Sequence, residues 1–243
     1  MIHTAPKGGL AIRTLPEFEG KLNRAVGCGK DELLQEKDLK ELELIYMSLG
    51  LKPEIHLSPF AQASTPDFLL ANGYVEKGDL STYWCDINKW AEQSSSDDPP
   101  ENLVVRLAEP HEMELFMEAS AVGFQDKGRT PKLLRMLAQL AIERKDILYL
   151  CLVDGAIAGT AVMALMETSA GGVAHFYLDS TVPAYRGRGV HRALIQTRLR
   201  AAHQLGLCLA TAITSVGDGS ARNAERVGLQ LAYITPQFTA PRR

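Results

Sequence analysis

The passage from residue 172 to residue 206 most constrains what this chain can fold into. "GVAHFYLDSTV" (172–182) has the apolar, aromatic and β-branched content of a long strand. "PAYRGRGVHRALIQTRLRAAHQLG" follows, and its spacing predicts a loop and then a helix over 190–205, stopped by Gly206. A strand running through a two-glycine loop into a helix is a unit of α/β architecture. The loop is also strongly cationic. Arg186, Arg188, His191 and Arg192 crowd a helix start. There, unpaired N–H groups already carry positive partial charge, and an added cation costs ~0.3–1 kcal/mol. An anion at this point resolves the conflict. Gly187 and Gly189, lacking Cβ atoms, let the backbone approach that anion closely. Together these features are the physical recipe for a phosphate or pyrophosphate site.

The ligand class is narrowed by what the loop lacks. No GxxxxGK[ST] loop occurs, which argues against a nucleoside triphosphatase. "GRGVHR" lacks the third glycine of the dinucleotide fingerprint. Net charge is −3, which argues against a nucleic-acid partner. The charge is uneven: residues 1–98 carry −6 and the remainder +3, so an anion belongs in the second half. No apolar run approaches the ~20 residues of a membrane span, and no signal pattern opens the chain. No membrane partner and a cytoplasmic location are therefore expected. The cysteines, Cys28, Cys85, Cys151 and Cys208, lack metal-ligand spacing and read as buried free thiols, so no metal is expected.

"EQSSSDDPPEN" (92–102), with Pro99-Pro100, reads as a linker. It divides the chain into a first domain, 1–91, a linker, 92–101, and a second domain, 102–243. In the second, strands are predicted at 103–107, 147–153, 157–166, 172–182, 207–214 and 229–238. Helices are predicted at 110–124, 130–145, 190–205 and 217–228. Thr130 and Pro131 start the second of these helices, whose apolar stripe is Leu133, Leu134, Leu137, Leu140 and Ala141. Asp154-Gly155 marks a hairpin. The result is an α/β (α+β) domain with a mixed, mostly antiparallel sheet flanked by helices. In the first domain, strands are expected at 8–15, 23–29, 52–60 and 74–87, with helices at 35–50 and 64–74. From residue 23 this repeats the strand–helix–strand–helix–strand order that ends the second domain, the mark of an internal repeat.

"STVPAYRGRGVHRAL" (180–194) resembles the coenzyme A pyrophosphate loop of the GNAT superfamily of acyl-CoA N-acyltransferases. That signature, Gln/Arg-x-x-Gly-x-Gly/Ala between a strand and a helix, is met by Arg186-Gly187-Arg188-Gly189-Val190. It is broken at its last position, where His191 replaces Gly or Ala. "RNAERVGLQLAY" (222–233) resembles the late helix and closing strand of the family. The element order of 102–238 fits its fold. The first domain resembles the late half of the same fold without the loop. The chain thus resembles a tandem GNAT protein whose first copy is incomplete, lacking the early strand and two helices.

The resemblance implies direct transfer of an acetyl group from acetyl-CoA, the co-substrate, to an amine. The acceptor would be a small molecule or a peptide. It implies that Asp179, Ser180 and Thr181 pair their backbone with the pantetheine arm. Backbone N–H groups from Gly187 through Arg188, Gly189, Val190 and His191 to Arg192 would take the pyrophosphate, with charge added by Arg186, Arg188 and Arg192. An oxyanion would be held by a backbone N–H at a bulge, from Leu178 or Asp179. Relatives use a tyrosine as general acid four residues before the glycine at the last strand. Here that position is Ala224. Tyr233 and Asn223 are the substitutes. His175 is the candidate base, and period-2 alternation puts it on one face with Tyr177 and Asp179. Its ordinary pKa near 6.5 suits neutral pH. Glu114 and Glu118, one helical turn apart, are candidates for holding the amine. An alternative function is a non-catalytic coenzyme A or acyl-CoA-binding regulator or scaffold. Exposed sheet edges are often paired, which makes a homodimer a candidate assembly.

Overall fold

The computed structural model describes residues 2–93, 102–125, 128–169 and 171–240. The strands are β1 (Ile2–Ala5), β2 (Gly9–Ile12), β3 (Arg24–Cys28), β4 (Glu54–Leu57), β5 (Val75–Asp86) and β6 (Leu103–Leu107), followed by β7 (Ile147–Val153), β8 (Ala156–Thr168), β9 (Gly171–Thr181), β10 (Leu209–Ser215) and β11 (Gln230–Thr239). The helices are α1 (Glu19–Leu22), α2 (Glu36–Met47), α3 (Thr65–Ala71), α4 (Ile87–Gln93), α5 (Met113–Phe124), α6 (Pro131–Glu143), α7 (Val190–Gln204) and α8 (Gly219–Val227). None of the described helices is long and apolar enough to cross a membrane.

The chain forms two compact units, and they do not coincide with a division at the 92–101 segment. One contains the residues up to Ser81 and those from Tyr233 onward; the other runs from Thr82 to Ala232. Most of the expected linker, from residue 94, lies outside the described residues. The reason for the early boundary is burial. Tyr83, Cys85 and Ile87 enter the core of the second unit with Leu194, Leu199 and Ala224. Tyr83 also donates its hydroxyl to Glu225 at 2.7 Å, and Trp90 donates its ring N–H to the Val227 carbonyl at 2.9 Å. The 87–93 stretch is the helix α4, which a reading of strand and then linker misses.

In the first unit, β1 and β2 form an antiparallel hairpin where one strand over 8–15 was expected. Lys7 and Gly8, both at positive φ, turn the chain there. β2 pairs antiparallel with β3, β3 parallel with β4, and β4 antiparallel with the end of β11 through His56–Gln237 and Ile55–Phe238. Phe238 is buried among Leu39, Leu42, Tyr46 and Leu69, which draws the last strand into this unit.

In the second unit the strand order is β10-β9-β8-β7-β6, with β5 beside β10. All of these pairs from β6 to β9 are antiparallel, and β9–β10 is parallel. Asp154 (φ 51°) and Gly155 (φ 80°) make the β7–β8 turn with the two positive φ angles of a type I′ hairpin. The sheet buries both faces. On one, Ala174 and Phe176 of β9 pack with Val190, Leu194 and Leu199 of α7. On the other, Tyr177 and Leu178 pack with the cluster of Phe116, Ala138, Ala141 and Leu150. Thr130 caps α6 by accepting from the Leu133 N–H at 3.3 Å. The buried stripe of α6 is Leu133, Leu134, Ala138 and Ala141, while Leu140 faces outward: positions 134, 138 and 141 share a face that 140 does not. Cys28, Cys85 and Cys151 are buried, but Cys208 is exposed, against expectation, because it lies in the turn between α7 and β10.

Candidate active site

The site is built where β9 is irregular. Thr160 pairs with Ser180 and Val162 with Tyr177, so Ala161 alone faces both Leu178 and Asp179. This is a β-bulge, and it leaves one residue of β9 outside the ladder. Leu178 adopts φ 56°, a left-handed conformation uncommon for a leucine. On the other side of β9, the parallel register with β10 runs from Val173–Leu209 and ends at Phe176–Ala212, just before the bulge.

The extra residue reverses the side-chain alternation. His175 and Tyr177 share the face toward α5 and α6, as expected, but Asp179 does not join them. Its carboxylate lies instead on the α7 face, 2.5 Å from the Arg198 Nη2 and 3.6 Å from the His191 Nε2. Arg198 is fully buried, and its guanidinium lies 4.5 Å above the Phe176 ring. It donates from Nη1 to the Val162 carbonyl at 2.9 Å and from Nε to the Leu194 carbonyl at 3.0 Å. Burial opposes the charge on Asp179, but Arg198 and His191 outweigh it and hold the carboxyl below its ordinary pKa. His191 also meets Asn223, Nδ2 to Nδ1, at 3.0 Å. With the Asn223 amide donating, Nδ1 accepts, and the ring proton sits on Nε2 facing Asp179. The side chain that breaks the six-residue signature is thus engaged by Asp179 and Asn223.

The loop begins with Arg186, whose guanidinium donates to the Gly123 carbonyl at the end of α5 at 3.2 Å. α5 comes close to the strands at that point: a Cβ on Gly123 would lie 2.6 Å from the Ser180 side chain. Ser180 itself shares a 2.8 Å hydroxyl contact with Thr160. Gly187 and Gly189 have φ 78° and 84°, and a Cβ on either would meet nothing within 4 Å. Gly189 is the N-cap of α7 and brings no capping side chain, and the first turn holds no acid. Val190 is buried in the core and anchors the helix start, while Arg188 and Arg192 are exposed. The Arg188 guanidinium lies 5.5 Å from the Tyr185 ring. An open surface lined by helix N–H groups and arginines, without a carboxylate in that turn, fits a phosphate-bearing ligand.

Toward α5 and α6, His175 Nδ1 contacts the Thr211 hydroxyl at 2.9 Å, and its ring stacks on Tyr177 at 6.0 Å between centroids. Tyr177 donates its hydroxyl to Asp146, which also pairs with Arg144 at 3.1 Å. Burial lowers the His175 pKa, and burial followed by the bond to Asp146 raises that of Tyr177. Glu114 pairs with Arg135 at 2.5 Å, so its charge is already answered within the protein. Tyr233 is exposed and falls in the first compact unit. Ala224 is buried. Sequence reasoning missed Arg198, Asp146 and Thr211. Only Arg198 left a signal, as a charge four residues from Leu194 and from Ala202 on the buried face of α7.

Residues 111–228 match the family model described as Acetyltransferase (GNAT) family. This segment is a GNAT acetyltransferase domain. The match runs from His111, just before α5, to the Gly228 that ends α8, and so includes the bulge, the loop, His175 and Asn223 but not Tyr233. No curated protein matches the chain. Among solved structures, a GCN5-related N-acetyltransferase from Kribbella flavida is similar with a TM-score of 0.71 and 14% identity, covering 100% of this chain and 90% of that one. A functionally unknown conserved protein from Staphylococcus epidermidis is similar with a TM-score of 0.69 and 10% identity, covering 100% and 94%. A GCN5-related N-acetyltransferase from Sphaerobacter thermophilus gives a TM-score of 0.59 and 20% identity over 78% of this chain and 59% of that one. At these identities the likeness is one of fold. The GNAT domain carries an acyltransferase assignment at the level of its family.

Proposed function

We propose that the protein is an acetyl-CoA-dependent N-acetyltransferase acting on the amine of a small molecule or peptide. The observation that carries this reading is the Leu178–Asp179 bulge leading directly into the open, arginine-rich loop of α7. Coenzyme A fits these residues. Backbone N–H groups from Gly187 to Arg192 would hold the pyrophosphate, and Arg186, Arg188 and Arg192 would add charge. The backbone of Asp179, Ser180 and Thr181 would pair with the pantetheine arm. Bound acetyl-CoA supplies an activated acyl thioester.

The chain's own residues then have two tasks. A backbone N–H at the bulge, from Leu178 or Asp179, would stabilise negative charge on the acyl oxygen. His175 receives the amine proton at Nε2, since Nδ1 is engaged by Thr211. Its lowered pKa keeps it neutral, and so able to accept, at neutral pH. The departing thiolate takes its proton from solvent, because Ala224 has no donor and the Asn223 amide is engaged by His191. The order β3–α2–β4–α3–β5, which opens with a parallel strand pair like β9 and β10, supports reading the early residues as a partial first copy. A cytoplasmic setting belongs to the same reading.

The buried Ala224 favours a second reading, a coenzyme A-binding regulator without turnover. Thiol release from acetyl-CoA, followed across a panel of primary amines, separates the two. Release above the amine-free background supports transfer. Acetyl-CoA binding without release for any amine supports the regulator.

A further inference from the structure

Arg198 combines features that a stability role does not require. Its side chain is wholly buried, and each part of the guanidinium is committed: Nε to Leu194, Nη1 to the Val162 carbonyl, and Nη2 to Asp179. Two of these partners flank the bulge. Val162 is the β8 residue paired with Tyr177, immediately before the irregularity, and Asp179 is the second of the two residues that share Ala161. One rigid, planar fork therefore grips both strands at the point where their ladder breaks. Between the two grips lies Leu178 in its left-handed conformation. Such a conformation persists only where the surroundings over-determine it. The grip extends outward through Asp179 to His191 and from there to Asn223, tying β8, β9, α7 and α8 together.

We propose that Arg198 is a positioning residue: it clamps Asp179 and the Val162 carbonyl so that the bulge of β9 keeps one backbone geometry, aimed at the acyl group. The part of this inference that concerns the acyl group rests on the acetyltransfer reading. The part that concerns the bulge does not. A bare apolar side chain would fill the same volume and leave Leu178 free to return to an ordinary strand conformation.

Two variants test it. Arg198→Lys keeps a charge for Asp179 but has one compact head, which cannot serve the Val162 and Leu194 carbonyls as well. Arg198→Met with Asp179→Asn removes both charges, so no unpaired ion is left buried. Amide hydrogen exchange is followed by mass spectrometry in peptides covering 174–182 and, for comparison, 147–153 and 193–204. The clamp predicts exchange over 174–182 accelerated at least roughly tenfold in both variants, with the comparison peptides within about twofold of wild type. Unchanged exchange over 174–182 overturns it. Equal acceleration in all three peptides also overturns it, since Arg198 would then be only a core residue. In thiol release with Arg198→Lys, kcat should fall roughly 10²-fold, as for loss of one oxyanion donor. Unchanged kcat overturns the functional half. If the wild-type protein shows no turnover with any amine, the acetyltransfer reading fails, and the exchange result still decides the clamp.

Discussion

Gly159→Ala is the substitution whose consequence the structure specifies most closely. Gly159 lies on β8, paired with Thr181 just beyond the bulge. A Cβ there would stand 2.6 Å from the Ser180 carbonyl oxygen, 2.7 Å from Val190 Cγ1 and 3.4 Å from Leu194 Cδ1. The first neighbour is backbone of β9, fixed by the Thr160–Ser180 pairing with β8. The second and third belong to residues that are 1% and 0% exposed, so neither has room to withdraw. Relief must come from moving the first turn of α7 away from the sheet. Overpacking of this kind costs about 1–3 kcal/mol. The reduced freedom of the unfolded chain returns about 0.4–1 kcal/mol. The middles of the two ranges leave a net loss of about 1.3 kcal/mol. For a unit of this size, about 2–4 °C in Tm accompanies each kcal/mol, which places the fall at roughly 3–5 °C. Thermal unfolding followed by far-ultraviolet circular dichroism measures it. Because Val190 anchors the loop, acetyl-CoA affinity should fall as well. A Tm equal to or above that of wild type would refute the argument that Gly159 is present for close packing of α7.

Two further outcomes follow from buried ionisable groups. Burial holds His175 below its ordinary pKa of 6.5, so in the window between the two values the unfolded chain binds a proton that the folded chain does not. Stability is therefore lost as pH falls below 6.5 and is insensitive to this group above it. His175→Gln should lose less stability than wild type between about pH 7.5 and about pH 5.5 in urea titrations. His56, lowered in the same direction by burial, remains in both proteins and cancels in the comparison. Equal losses would contradict a buried neutral imidazole. Asp179→Ala leaves the Arg198 guanidinium buried without its counter-charge, and should destabilise by about 3–5 kcal/mol. A loss below about 1 kcal/mol in the same titration would show that the pair is not sealed from water.

The second unit was largely legible in the sequence because its signals are local. Thr130-Pro131, Asp154-Gly155, Gly206 and Gly228 each fix a terminus or turn through their own backbone preferences, and the structure places each where those preferences predict. The arginine–glycine loop was legible for the same reason, since its conflict with the helix dipole lies within seven residues. What could not be read depends on partners far apart in the chain. β11 carries no mark of the unit its end joins; Phe238 decides that by its burial with Leu39 and Leu42. α4 follows a strand without a break and is held by Trp90 reaching Val227. The bulge adds one residue to β9, and with it every face assignment after Leu178 reverses. Asp179 consequently meets Arg198 and not His175, a pairing that strict alternation excludes.

The central claim is that the loop from Arg186 to Arg192 holds the pyrophosphate of coenzyme A, and calorimetric titration with acetyl-CoA tests it most directly. Gly189→Asp places a carboxylate at the N-cap of α7, where nothing lies within 4 Å of the added Cβ, and Gly189→Ala, which carries the same strain at φ 84° without the charge, is its control. The account predicts micromolar binding to the wild-type protein and a loss of more than about tenfold, or about 1.4 kcal/mol, in the variant. Equal affinity in the two proteins, or no heat at millimolar acetyl-CoA with the wild type, would contradict it.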